Sequence, residues 1–426
     1  HYTFQMRHLW LCLVLGVVAT DSNLNTSEKK DDKEDELLLV QVVIRHADRA
    51  STSGKIAPNS EEVFFRGHEH LSDQGIDNAH KQGADFRKRY VDSGFIDRRM
   101  VPSQIYFQSS AVPRVLMSAK SFAAGLFDKT DRGDTVLPPI LTHMNIPTDH
   151  MLVPDTQCPD NWDDMYEKYG FEDDGKSETR MIQVIKTMAR VPIPEDCKSI
   201  ALRDLDALIS ENSNDLTRPF LSEEQRVCAD GGAKWLMYKY VGMLGGGGDD
   251  YNEERAVRTV GVLIDTMLRN MEKVSERGAG IILAAQCGKD CKDLERFRVY
   301  CTHDTNVLAI AQLFDTVYLF RNQTPAFSSA FVLELRRGSK GLYVNMVMKN
   351  GQDVGFEYAE KCKNRACSLE AILKEKRRFA TPSFVGCSTD AKDVNDDEDE
   401  EGEEMDYTLP ACIGVVSVAA LTWLRR

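Results

Sequence analysis

The chain predicts an α/β sandwich carrying an α-helical insertion, and three observations support that reading. Apolar runs of strand length pass into helical patterns near both ends of the chain. A hairpin signal follows the second of these units. Between them, residues 140–275 are mostly helical patterns broken by Pro- and Gly-bearing segments. Taken in order, LLLVQVVI (37–44) is a continuous apolar run of buried-strand type. LSDQGIDNAHKQGADFRKRY (71–90) opens on Ser72 as a cap and reads as a helix, ending in basic residues that suit the negative end of a helix dipole. QIYFQ (104–108) is a short strand. After it, Val115, Leu116, Ala119, Phe122, Ala123 and Leu126 fall on one helical face. The run GGGGDD (245–250) is a connector, since no Gly-Lys-Ser/Thr follows it and no strand precedes it. VRTVGVLIDTMLRNM (257–271) is an amphipathic helix. FRVYC (297–301) is a strand that turns into the helix of THDTNVLAIAQLF, and AFVLELRR, GSKG and LYVNMVMKN (330–350) form the hairpin.

The 426 residues suffice for one large core with an inserted subdomain. The net charge of −14 is dominated by residues 393–406, which carry ten carboxylates and no base. Without that segment the remainder stands at −4 (−14 plus ten), with no broad basic face of the kind nucleic-acid binding needs.

Both termini read as targeting signals. Arg7 and His8 precede the apolar LWLCLVLGVVA (9–19), so residues 1–20 have the form of a secretory signal peptide with Met6 as its start. A charged stalk follows over 21–36, and an acidic linker occupies 391–408. LPACIGVVSVAALTWL (409–424), closed by Arg425 and Arg426, is expected to be a transmembrane helix with a short cytoplasmic end. Its sixteen residues span about 24 Å, less than the roughly 30 Å hydrocarbon core. A lipid-anchor signal is the rival, although such tails seldom end in charges. The expectation is a type I membrane protein of the secretory pathway with its main domain luminal or extracellular, in the lysosome or at the cell surface.

Of eleven cysteines, Cys12 and Cys412 lie in the apolar termini, which leaves nine in the body and at least one without an intrachain partner. Cys362 with Cys367, and Cys287 with Cys291, could each close a small loop. Asn25 and Asn322 head glycosylation acceptors. His68 and His70, two residues apart in a polar stretch, read as solvent-facing rather than as metal ligands.

The chemistry is expected where strands end. VVIRHADRAS (42–51) sets Arg45 and Arg49 around His46. Two fixed cations hold an imidazole neutral, hence nucleophilic, and would also hold an anion against it. His303-Asp304 ends the second strand in the same way, and open α/β sheets place their sites beyond such carboxyl ends. A bound anion beside Asp304 would favour its protonated, proton-donating form.

These segments resemble the histidine acid phosphatase family, and within it the prostatic and lysosomal type. The family's phosphate loop reads R-H-G-x-R-x-P, against Arg45-His46-Ala47-Asp48-Arg49-Ala50-Ser51 here. The likeness continues through LSDQG…FRKRY, VLMSA (115–119) and THDTNV, over roughly residues 37–390. It implies a three-layer sandwich with a mixed, mainly parallel sheet (about 37–139 and 276–390) and a smaller α-helical insertion (about 140–275). It also implies a metal-free, cofactor-free hydrolysis of phosphomonoesters. His46 would become phosphohistidine while Asp304 protonates the leaving oxygen, and Arg45, Arg49 and His303 would stabilise the phosphoryl charge. The acid preference would follow from keeping Asp304 protonated. A homodimer is left open.

Several positions depart from the pattern. Where the family carries R-S-T-D-x-D-R, this chain reads Gln108-Ser109-Ser110-Ala111-Val112-Pro113-Arg114, so Gln108 replaces the third phosphate arginine, and Ala111 and Pro113 replace the two aspartates. Losing one such donor costs about 2.7–4 kcal/mol, although Gln108 can still donate and Arg66 or Arg114 could supply the cation. Ala47 replaces a glycine and Ser51 a proline. The alternatives are an impaired cell-surface or secreted binding protein that keeps the fold, and an active relative whose insertion narrows the substrate to an inositol phosphate or phospholipid.

Overall fold

Residues whose apolar run has no polar face must be covered on both sides, and the first strand takes the middle of the sheet. The structure, a computed structural model, describes residues 35–51, 57–128, 136–144, 149–153, 205–216, 253–284, 295–321 and 323–382. Seven strands form one sheet: β1 (Glu36–Arg45), β2 (Ile105–Ser109), β3 (Ile140–Thr142), β4 (Phe297–Thr302), β5 (Ala330–Gly338), β6 (Gly341–Lys349) and β7 (Glu357–Tyr358). Their order is β3-β2-β4-β1-β5-β6-β7. The pairs β3–β2, β2–β4 and β4–β1 are parallel, and β5, β6 and β7 add antiparallel pairs. The sheet is therefore mixed, with its first four strands parallel, as expected.

Helices cover both faces: α1 (Asp73–Phe86), α2 (Pro113–Leu126), α3 (Leu205–Ser213), α4 (Glu253–Ala284), α5 (Asp304–Leu313) and α6 (Leu369–Lys376). Val40, Val42 and Ile44 of β1 pack with Phe86, Val115 and Phe122 of α1 and α2. Leu39 and Val43, on the opposite pleat, pack with Val260, Leu263 and Met267 of α4 and Val307 and Ile310 of α5. Each fully buried aliphatic side chain of this kind stabilises by about 1.5–3 kcal/mol. Gln41 is the polar exception in the run. Its Nε2 donates to Met267 O at 2.9 Å and its Oε1 accepts from Asn270 Nδ2 at 2.9 Å, so burial leaves neither end unpaired.

Ser72 caps α1, its hydroxyl accepting from Gly75 N at 3.0 Å. The helix expected to run through Tyr90 widens after Phe86 into a π-helical turn, Arg87–Val91. That turn brings Arg89 Nη2 (2.7 Å) and Tyr90 OH (2.8 Å) onto the buried Glu334 of β5. α1 and α2 approach through glycine, because a Cβ on Gly83 would lie 2.0 Å from Phe122 O and one on Gly125 would lie 1.9 Å from His80 O.

At both ends of the helical insertion expected over about 140–275, elements lie against the sheet. Ile140–Thr142 pairs with β2 as the edge of the sheet, and α4 belongs to the helical layer beneath β1. An amphipathic helix looks alike whether it covers a sheet or joins a separate bundle, so periodicity could not place it. Of the cysteine pairs, Cys362 and Cys367 form a disulfide, and Cys301 is free and buried. Among the described residues no helix is long and apolar enough to cross a membrane. The expected signal peptide, most of the stalk, Asn25, Asn322, Cys287 with Cys291, the glycine run, the acidic linker and the 409–424 segment lie outside the described residues.

Candidate active site

Strands β4 and β1 are parallel neighbours with Arg45 opposite Thr302, so Arg45-His46 and His303-Asp304 leave the sheet side by side. His46 N donates to Thr302 O at 3.0 Å, which locks the two exits together. β2 lies on the far side of β4, and its exit brings Ser110 Oγ to 3.4 Å from His303 Nε2. Three adjacent carboxyl ends thus converge, the position where open α/β sheets carry their sites.

The backbone of the loop that follows β1 is held from α1 and α2. Ala47 N donates to Ser118 Oγ at 2.9 Å, and Ser72 N donates to Asp48 O at 3.2 Å. Gly75, in the first turn of α1, allows this approach, since a Cβ there would lie 2.0 Å from Asp48 O. The non-glycine residues with positive φ do not include Ala47, so its methyl group meets no backbone strain. Ser51 is buried, and its carbonyl accepts from Glu69 N and His68 Nδ1, each at 3.1 Å. Hydrogen bonds fasten the loop end where the family has a proline ring. His68 is used structurally, and the described residues hold no cluster fit to bind a metal ion.

His46 is 3% exposed. Its Nδ1 lies 2.9 Å from Ala47 O, and a carbonyl can only accept. That assigns the ring proton to Nδ1 and a lone pair to Nε2. Burial first, and then Arg114, Arg45, Arg49 and His303, hold its pKa well below the ordinary histidine value. His303, with its ring centroid 5.7 Å from that of His46, is lowered likewise by burial, Arg114, Arg49 and Arg45. Both imidazoles are therefore neutral well into acid.

Three buried arginines surround the pair. Arg45 donates to Asp304 Oδ2 at 2.7 Å and to Pro325 O at 2.5 Å, with its guanidinium 4.1 Å above the Phe327 ring. Arg49 makes a forked pair with Asp206 of α3, Nη2–Oδ1 at 2.8 Å and Nη1–Oδ2 at 3.1 Å, and Nη1 also donates to Ala50 O at 2.8 Å. Arg114 is 1% exposed and donates from Nη1 to Glu69 Oε2 at 3.1 Å. Burial and the neighbouring Arg49 pull its pKa down to about 10, which leaves it a cation at any working pH. Nε of all three arginines and Nδ1 of His303 have no hydrogen-bond partner. A buried donor left so costs about 1–3 kcal/mol, and the oxygens of an anion would supply acceptors.

Of the residues expected in the site, Arg45, His46, Arg49, His303 and Asp304 come together. Gln108 is half-buried on β2 and its Oε1 accepts from Tyr106 OH at 2.6 Å, a bond within its own strand. Of the two cations considered in its place, Arg114 is in the cluster, whereas Arg66 pairs with the exposed Asp73 at 2.5 Å. Asp206 and Glu69 escaped sequence reading. Asp206 is held beside Arg49 by a helix 157 residues away, and no spacing rule connects them. Glu69 left only one trace, its place beside the GHEH histidines.

Fold and site together set three buried arginines around two buried imidazoles at the carboxyl edge of a mixed α/β sheet. The chain belongs to the histidine phosphatase superfamily, branch 2, whose family model matches residues 36–348. It is similar to the prostatic acid phosphatase of Mus musculus, 26% identical over 326 residues that cover 74% of this chain and 79% of that one. It is similar also to the lysosomal acid phosphatase of Xenopus laevis, 25% identical over 332 residues covering 74% and 70%. Among solved structures, the apo phytase of Hafnia alvei superposes with a TM-score of 0.53 at 13% identity, over 82% of this chain and 98% of that one, a likeness of fold.

Proposed function

We propose that this chain is an acid phosphatase that hydrolyses phosphate monoesters through a phosphohistidine formed on His46. The observation that carries the reading is the neutral imidazole itself: Nδ1–H is committed to Ala47 O, Nε2 is free to attack, and three buried arginines surround it. In the first step Nε2 attacks phosphorus, the P–N bond forms, the P–O ester bond breaks, and Asp304 delivers its proton to the leaving oxygen. The Nδ1–H bond to Ala47 O persists and supports the positive phosphoimidazolium. Water then attacks phosphorus, gives its proton to the Asp304 carboxylate, and the P–N bond breaks. Arg45, Arg49, Arg114 and His303 face the equatorial phosphoryl oxygens.

Substrate oxygens compete with Asp304 for Arg45, which pairs with that carboxylate at 2.7 Å in the free protein. Taking Arg45 over releases the Asp304 carboxyl from its ion pair, so that it can serve the leaving oxygen. The imidazole stays unprotonated in acid because of its burial and its cationic neighbours, so the nucleophile is ready at low pH. The Cys362–Cys367 disulfide supports work in an oxidising compartment, luminal or extracellular. A membrane anchor at 409–424 rests on that apolar run and its terminal arginines alone.

The test is hydrolysis of p-nitrophenyl phosphate by the secreted chain from acid to neutral pH, beside His46→Ala and Gln108→Arg. The expected result is turnover at acid pH, an acid-labile phosphoenzyme on rapid quenching, and neither in His46→Ala. A folded parent that is silent, with turnover restored by Gln108→Arg, would mean that this chain keeps the fold for binding alone.

A further inference from the structure

The forked pair between Arg49 and Asp206 has a geometry that bears on how the site is built. A guanidinium presents two bidentate edges: the end formed by Nη1 and Nη2, and the side formed by Nε and Nη2. Asp206 takes the end, with Oδ1 on Nη2 and Oδ2 on Nη1, and Ala50 O takes the remaining Nη1 hydrogen. The Nε–H has no partner. What remains to Arg49 is the side edge, a parallel pair of donors suited to two oxygens of one phosphate.

Both side chains of the pair are buried, at 4% and 6% exposure, so the bridge does not trade with water. The helix that carries Asp206 is itself held by independent contacts. Glu211 Oε2, one turn and a half along α3, accepts from Ala57 N at 2.7 Å, and its Oε1 accepts from Ser60 Oγ at 2.9 Å. Gln74 Nε2 of α1 donates to Ser213 O, at the end of α3, at 2.5 Å. The helix is thus tied to the segment just after the phosphate loop and to the helix that supports the loop.

We propose that Asp206 is the positioning residue through which α3 sets the phosphate-binding edge of Arg49. The proposal rests on the phosphatase reading and adds to it a residue outside the family motifs. The carboxylate does not occupy the phosphate's place; it fills the end of the fork, prevents the guanidinium from turning, and leaves Nε and Nη2 directed as one edge. Whatever moves α3 therefore moves a donor of the site, which makes the pair the route by which this part of the chain would tune phosphate affinity.

The test is a double-mutant cycle in the full-length secreted protein with Asp206→Asn, Arg49→Gln and both together, reading calorimetric binding of inorganic phosphate, kcat, KM and thermal stability. Asp206→Ala would strand a buried cation and is at risk of unfolding; Asp206→Asn keeps the shape and one acceptor. A misdirected donor costs on the order of tenfold to a hundredfold. The expected result is phosphate affinity weakened by that factor in Asp206→Asn, with no further loss when the change is added to Arg49→Gln. A merely structural role would lower the melting temperature and leave the cycle additive, which would overturn the proposal. Unchanged or tighter phosphate binding in Asp206→Asn would overturn it too, and tighter binding would mean that the carboxylate competes with phosphate. A parent that neither binds nor hydrolyses phosphate would instead refute the phosphatase reading on which the proposal stands.

Discussion

Replacing Arg114 by methionine separates the third cation of the site from its packing. Methionine fills much of the same volume, so the readout is the charge. Arg114 is 1% exposed, and it comes first among the charges acting on both His46 and His303. Only Nη1 is spent, on Glu69 at 3.1 Å, while Nε has no partner. Removing one such donor from a developing oxyanion costs about 2.7–4 kcal/mol, hence a hundredfold to a thousandfold in kcat. The stability cost is smaller, because the Glu69 side chain is 29% exposed and can return to water. The pH profile should move as well. With its largest charged neighbour gone, His46 takes up a proton more readily, so the acid limb of kcat/KM shifts to higher pH. Arg66→Met serves as control, since Arg66 pairs with Asp73 away from the cluster and should leave the profile unchanged. The assay is steady-state hydrolysis of p-nitrophenyl phosphate against pH. Should kcat stay within about threefold of the parent and the acid limb not move, Arg114 does not serve the transferring phosphoryl group, and the loss at position 108 is uncompensated.

Three further outcomes follow from the same structure. His46 and His303 are both lowered in the folded state, so below about pH 6.5 the unfolded chain takes up protons first. Stability is then complete above that pH and falls as pH falls, by up to about 2.7 kcal/mol per unit for two sites. Chemical denaturation across this range in phosphate-free buffer should show the slope, and the double change His46→Asn with His303→Asn should flatten it. Gly125→Ala would place a methyl group 1.9 Å from His80 O and force α1 from α2, at about 1–3 kcal/mol by thermal melting; a neutral result would mean that the helices slide freely. Opening the Cys362–Cys367 loop with paired serines should cost roughly 2 kcal/mol from chain entropy, with activity retained because the bond lies away from the cluster.

Much of this molecule was legible in its residues because the relevant signals are local. The apolar run 37–44 could only be a strand covered on both faces, and it is the middle of the sheet. Ser72 as a cap, the hairpin at 330–350 and the strand-to-helix turn at His303-Asp304 are each written in a few consecutive residues. So was the pairing of two strand ends, since parallel sheets gather their carboxyl ends at one edge. The insertion's boundaries were not legible. The apolar face of α4 fits a sheet or a helical bundle equally well, and β3 is a three-residue edge strand too short to declare itself.

The sequence by itself determined the family, the α/β architecture, and the two dipeptides proposed to carry nucleophile and acid. It also revealed the substitution at Gln108, although not what accompanies it. Only the tertiary structure decided that Arg114 rather than Arg66 joins the cluster, that Asp206 and Glu69 each engage one of its arginines, and that His46 carries its proton on Nδ1. The physical reason is that a charge acts through distance and burial. Those are set by which helix lies across which strand end, and neither is encoded in the spacing of residues along the chain.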